Sequence, residues 1–447
     1  MYKRSLSVAI ALAAASQGAY AADPAPQGFV EGSRASVSSR TMYFNNDNRE
    51  GGADQRETAT GLKFDYLSGF TQGVVGFGLD AQALFGLHLD GGRGYHPNNN
   101  SFFPSDTDGS AEKTFTRAGA NAKARFSKTE VKLGNALAPS MPVIVPNDGR
   151  LLPQSFEGGI ITSKEIDNLT LNAGKLTKAA GRASSNYSGM AVAGGTEDSN
   201  SFVYGGADYK VTKDLTLQYY YANLENYYKQ NFLGLVHVYQ IDSNQSFKTD
   251  LRYFDSSSDG KNGDAGYRFN NNGGYAKKAG EVDNKTWSAM FTYSLGSHAF
   301  LVGHQQVGDD GGFVWMNNGN VTDGRGRNEG EGGASFYLFT DSMVNQFARA
   351  GENTTFGQYT FDFAKAGIPG LKASAAYLRG DDIKDVANGR DHTEWERDVR
   401  LDYVVQGGPL KGLGASLRQG TYRGDNSGSV SATDQTRLIF NYTYNFM

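Results

Sequence analysis

The sequence predicts an all-β chain that closes into a transmembrane antiparallel β-barrel of about 18 strands, with one loop folded inward as a constriction. Three observations carry that prediction. Apolar and aromatic residues recur at every second position through most of the chain. Tight turns alternate with long polar connections. The chain opens with the layout of a secretory leader, yet no later stretch holds the roughly 18 consecutive apolar residues that a spanning helix needs.

The leader comes first. Lys3 and Arg4 precede an apolar run from Leu6 to Ala15, and Ala19-Tyr20-Ala21 supplies the small residues of a cleavage site. Cleavage after Ala21 would divide the chain into a signal peptide, 1–21, and a single barrel domain, 22–447. The 447 residues contain no Cys, which excludes disulfides, thiolate metal sites and a Cys nucleophile. With 58 Gly, 25 Tyr and 27 Phe against 10 Pro, the composition suits strands and tight turns. A formal charge of -4 gives no nucleic-acid footprint.

The strands follow. Leu62, Phe64 and Tyr66 alternate with Lys63 and Asp65, and Phe77, Leu79, Ala81, Ala83 and Phe85 alternate with Gly78, Asp80 and Gln82. The same period joins Leu215 to Tyr221, Phe247 to Tyr253, Trp287 to Leu295, Tyr359 to Phe363 and Val399 to Val405. Leu438, Phe440, Tyr442, Tyr444 and Phe446 end the chain on a greasy face, although mean hydropathy is only -0.51. Turns such as 67–70, 210–214, 295–298 and 407–410 are short; segments 45–57, 89–114, 257–282 and 308–330 are long and polar. A soluble sandwich would have to cover a second face lined with Lys, Arg and Asp. A barrel gives the apolar face to lipid and the charged face to a watery lumen.

Several stretches resemble the OprD/Occ family of outer-membrane carboxylate channels: SSRTMYFNNDNREGGADQ (38–55), DYLSGFTQGVVGFGLDAQALFGLHLDGGRG (65–94), LPQSFEGG (152–159), VTKDLTLQYYYANLENYYKQ (211–230) and EWERDVRLDYVVQGGPLKGL (394–413). YFNNDNREGG looks more like the OccK branch than the OccD branch. The resemblance implies a porin in the outer membrane of a Gram-negative bacterium. It implies an inward third loop, a ladder of basic side chains down one wall and passive uptake of small carboxylates, with monocyclic benzoate-like acids for the OccK branch. Outer-membrane lipid and such acids would be its partners, with no cofactor and no nucleic acid. A monomer and a homotrimer both remain open.

Parity locates the basic residues independently. Arg40 shares the face of Arg34, Ser36 and Ser38, opposite Ala35, Val37 and Tyr43. Arg117, Lys123 and Arg125 lie opposite Ala118, Ala120, Ala122 and Ala124, and parity likewise turns Lys132, Lys248, Arg252, Arg400, Arg418 and Arg437 inward. A Lys or Arg on the lipid face near the midplane would cost about 2–4 kcal/mol, so the assignment is energetic as well as geometric. First and last strands meet on closure, which puts Arg40, Arg400, Arg418 and Arg437 on one wall. There they could pass an anion along, or merely neutralise luminal Asp65, Asp80, Asp250, Asp362, Asp398 and Asp402.

Segment 137–158 differs from the other loops. It holds Pro139, Pro142, Pro146 and Pro153 among Met141, Val143, Ile144, Val145, Leu151 and Leu152, too apolar to stand in water. It is expected inside the barrel, with Arg150 either offered to the permeating anion or anchoring the loop to an acidic wall residue. The resemblance implies a seventh loop that also narrows the pore, for which Asp309 is the expected acid. No catalytic constellation competes: His88, His96, His237, His298, His304 and His392 form neither a His-x-x-x-His pair nor a His-Glu-x-x-His motif. An outer-membrane hydrolase is therefore a lesser alternative. A sugar porin would need more luminal aromatics than Tyr220 and Phe254.

Overall fold

The computed structural model describes residues 28–91, 94–97, 100–318, 333–384, 386, 391–425 and 431–447. The expected signal peptide and its cleavage site lie outside the described residues. Eighteen antiparallel strands form one closed sheet. In chain order they are β1 (Arg34–Asn48), β2 (Gln55–Leu67), β3 (Val75–Asp90), β4 (Thr114–Phe126), β5 (Thr129–Leu137), β6 (Ser155–Ser163), β7 (Leu169–Ala180), β9 (Phe202–Lys210), β10 (Leu215–Leu224), β11 (Tyr228–Gln240), β12 (Gln245–Ser258), β13 (Asp283–Leu295), β14 (His298–Val307), β16 (Asn353–Asp362), β17 (Leu371–Lys384), β18 (Asp391–Val404), β19 (Gly414–Gly424) and β20 (Thr433–Asn445). Two further pieces, β8 (Met190–Ala191) and β15 (Asn317–Asn318), pair with each other inside loops. Each barrel strand pairs with its neighbours in the chain, and β1 pairs with both β2 and β20, which closes the sheet without an edge.

Alternation sets the faces. Leu401, Leu417, Leu438 and Phe440 are exposed on the outer wall, while their sequence neighbours Arg400, Arg418, Arg437 and Asn441 turn away from it. The short connections lie at one end. Gly296 and Ser297 join β13 to β14, with Gly296 at φ 60°, a left-handed conformation that Gly adopts without strain. The alternation stops sooner than the sequence suggests in two places: Phe363 enters a 3-10 turn (Phe363–Ala366), and Val405 follows the end of β18.

The interior is partly filled by its own loops. On the β9–β12 side, Tyr204, Tyr220, Phe232 and Phe254 point inward and are buried beneath Phe313, Val314 and Met316, from the β14–β16 connection, and Met190–Val192, from the β7–β9 connection. These inward aromatics exceed the two expected from the sequence. They are core rather than a lining stripe, because loops with apolar residues at depth cover them. A second cluster joins Met42, Phe44, Ala59 and Leu84 on the wall to Phe102 and Phe103 of the β3–β4 loop and Leu151 and Leu152 of the β5–β6 loop. Gly61 makes that docking possible: a Cβ there would stand 2.8 Å from Leu152 Cδ2 and 3.1 Å from the Leu151 carbonyl oxygen. The β5–β6 segment therefore folds inward, as its apolar content requires.

Candidate permeation site at the basic wall

Most inward cations are already neutralised, and by a repeated local device. Residues two apart on a strand share a face, so an acid two places from a cation can reach it. Lys63 pairs with Asp65 at 2.7 Å, Lys248 and Arg252 both pair with Asp250 at 3.1 and 2.8 Å, and Arg400 Nε donates to Asp402 Oδ2 at 2.5 Å. Arg418 and Arg437 lack that acid. Arg418 Nε donates to Ser416 Oγ at 3.1 Å, and Arg437 Nε donates to Gln435 Oε1 at 2.7 Å. Across the sheet, Arg400, Arg418 and Arg437 occupy one rung of β18, β19 and β20.

The inward loop adds to this wall. Arg437 stands opposite Phe44 on β1, and the Phe44 ring carries both the Arg150 guanidinium, 4.7 Å from its centroid, and that of Arg437 at 5.7 Å. The Gly149 carbonyl accepts from Arg150 Nη1 at 3.1 Å and Arg437 Nη1 at 3.5 Å. Arg182, from the β7–β9 connection, donates to Asn147 Oδ1 at 2.9 Å. Among the described residues none of Arg150, Arg182, Arg418 and Arg437 has a carboxylate within 4 Å, and the Nε of Arg150 and of Arg182 is buried without an acceptor. A polar cavity of about 360 Å³ opens beside Arg150 between Phe44, Asn46, Gln55 and Gln435.

Other expected residues lie elsewhere or do other work. Arg40 is on this wall, but its guanidinium grips the loop: Nη1 reaches Asp148 Oδ1 at 2.7 Å and the Arg150 carbonyl at 2.6 Å. The anchor is thus a wall arginine on a loop aspartate, the reverse of an Arg150 tether. Lys123 is not with the cluster. It is buried against Asp80 at 2.6 Å and the Ser68 carbonyl at 2.7 Å, where Lys132 joins the same carboxylate at 2.9 Å. Asp80 faces Leu67 on β2, whereas Arg40 faces Gly61, six residues away along that strand, or about 20 Å. Arg125 lies over Phe70 near the same turn. Arg117 donates to the Gly181, Ser184 and Pro153 carbonyls, tying two loops to β4.

Asp309, the acid expected in the seventh loop, lies just past the end of β14, 71% exposed and paired with Lys384 at 3.3 Å. An acid of this connection that does stand near the arginine cluster is Asp341. Burial pushes its carboxyl up to about 6, against the opposing pull of hydrogen bonds from Ser335 and Phe336 and of the Arg182 and Arg150 charges. Burial, then the charge of Arg182, pushes the Arg150 guanidinium down to about 9, still charged at neutral pH. Sequence reasoning missed Arg182 and Asp341. For Asp341 a signal existed: Phe336, Leu338 and Phe339 make its surroundings as apolar as the segment around Arg150.

The profile described as outer membrane porin, OprD family, matches residues 27–446, nearly the whole described chain. The chain belongs to the OprD family. This OprD-family porin is a non-enzymatic channel of the Gram-negative outer membrane. It is 32% identical to Porin D of Pseudomonas aeruginosa, over 93% of this chain and 91% of that protein. Among solved structures it is similar to P. aeruginosa OccK8 (OprE), with TM-score 0.83 and 43% identity over 94% of this chain and 100% of that one. P. aeruginosa OpdK, solved with vanillate, gives TM-score 0.80 and 32% identity over 94% and 100%. These neighbours put the porin beside OccK and Opd channels, in keeping with YFNNDNREGG.

Proposed function

We propose that this OprD-family porin passes small organic anions, monocyclic aromatic carboxylates among them, along the wall formed by Arg150, Arg182, Arg418 and Arg437. The observation that carries the reading is that these four guanidiniums have no carboxylate partner among the described residues, in a lumen where most other cations have one. An arginine fork can hold a carboxylate through two parallel hydrogen bonds and stays charged at any working pH. A row of such forks lets an anion move from one to the next instead of binding once and stopping. The Phe44 ring beside Arg150 and Arg437 offers an apolar face to an aromatic acid. The likeness to OpdK, solved with vanillate, supports the same substrate class.

Reversal potentials in planar bilayers test the reading. Under a salt gradient the channel should favour benzoate over benzylamine, and the preference should weaken as salt screens the field. Equal passage of the two at low salt would sink it. A neutral-solute porin would show that indifference.

A further inference from the structure

We propose that Glu57, His88 and His96 form a binding site for a divalent transition-metal cation of the zinc class, which pins the β3–β4 loop to the barrel wall. Glu57 stands near the start of β2 and His88 near the end of β3, and a register shift between Thr58 and Ala59 turns the two side chains together. His96 arrives from the loop. One ligand atom from each residue lies within 4.8 Å of the other two. His88 Nε2 and Glu57 Oε1 are 3.2 Å apart, close to the roughly 3.3 Å edge of a tetrahedron with metal bonds of about 2.0–2.1 Å. His96 Nδ1 contacts the same carboxylate oxygen and would spread to that distance on binding.

The surroundings favour a cation. The side chains of Glu57, His88 and His96 are 0%, 12% and 4% exposed. Among the described residues no Lys or Arg lies within 4 Å of Glu57. A carboxylate so buried needs a positive partner, which a metal ion or a protonated imidazole would provide. An outer shell is already present: the Ser105 hydroxyl engages His96 Nε2 at 2.8 Å, leaving Nδ1 to face the site, and Gln55 Nε2 donates to Glu57 Oε2 at 2.5 Å. Two imidazoles and one carboxylate suit zinc-class ions better than calcium or magnesium, and three protein ligands leave a position for water. The same loop carries Phe102, stacked on Phe44 at 5.5 Å, so a pinned loop would also steady the ring beneath Arg150.

The experiment uses the full-length barrel in detergent, stripped with chelator and titrated with zinc chloride. One zinc per chain is expected, at micromolar affinity or tighter, with at least a tenfold loss in His88→Gln and in His96→Gln and no loss in His237→Gln, whose side chain lies on the outer wall. Heat-modifiable migration on gels establishes that each variant is folded. Cobalt(II) added to the wild type alone should give the intense visible absorption of a four-coordinate site. A wild type that binds no zinc, zinc binding that survives replacement of both histidines, or a cobalt spectrum like that of the aqueous ion would each overturn the proposal.

Discussion

Arg418 and Arg437 stand directly opposite one another on β19 and β20, two like charges in register with no acid on either strand two residues away. Opposed like charges destabilise a sheet pair, so the arrangement carries a cost to the fold that an anion held between the two guanidiniums would offset. Arg400, on the same rung, differs in having Asp402 two residues along its own strand, which satisfies it.

That contrast is testable without touching an arginine. Gln435→Glu and Ser416→Asp each place a carboxylate two residues from the arginine on its own strand, as Asp402 is from Arg400. Both should lower anion preference in reversal-potential measurements, toward the value of a neutral pore. Asp402→Asn should shift it the other way by releasing Arg400.

Replacing the guanidinium separates charge from geometry. Arg418→Lys keeps the charge and loses the two-pronged grip; Arg418→Ala loses both. A charge-assisted hydrogen bond is worth about 1.5–3 kcal/mol, so in liposome uptake the Lys variant should weaken benzoate saturation by roughly tenfold, and the Ala variant further. Uptake unchanged in both would remove Arg418 from the path.

The faces can be checked on β18. Leu401 is exposed on the outer wall beside Arg400. Leu401→Arg should destabilise the barrel by about 2–4 kcal/mol if it sits near the midplane, visible as a lower urea midpoint, whereas Arg400→Ala should leave folding intact. The opposite outcome would mean that inside and outside have been exchanged on this strand.

Arg150 reports on the inward loop. Arg150→Ala removes a guanidinium from beside the cavity but leaves the Arg40–Asp148 anchor. Single-channel conductance should rise and anion preference fall. Arg40→Ala, which breaks the anchor, should instead add rapid closures as the loop loosens.

Asp341 gives the pH dependence. Its carboxyl is raised by burial from an ordinary 3.8 to about 6, so below about pH 6 it is neutral and the constriction more positive. Anion preference should therefore increase as pH falls through 6, and Asp341→Asn should be flat over that range. The folded protein holds this proton more tightly than the unfolded chain does. The associated stabilisation is thus full below 3.8 and lost as pH rises through about 6.

Part of the site is legible in the sequence. Lys63-x-Asp65, Lys248-x-Asp250-x-Arg252 and Arg400-x-Asp402 announce neutralised cations, while Ser416-x-Arg418 and Gln435-x-Arg437 announce cations with no acid two residues away on their own strand. The spacing is local and the period of a strand is fixed, so this distinction needed no coordinates. The triad of Glu57, His88 and His96 had no such signature, since a hairpin register and a returning loop bring it together.

The sequence by itself determined the barrel, its two faces, the wall on which Arg400, Arg418 and Arg437 meet and the inward habit of the β5–β6 loop. Each follows from residues within a few positions of one another, through strand periodicity and the cost of leaving apolar groups in water. Only the tertiary structure decided that Asp341 of the β14–β16 connection comes to the arginine cluster, which lysines are locked near the turns, and that aromatic core fills the far side of the lumen. Those outcomes depend on where long loops come to rest against distant strands, and the closure of a long loop is set by contacts between remote residues that no local pattern encodes.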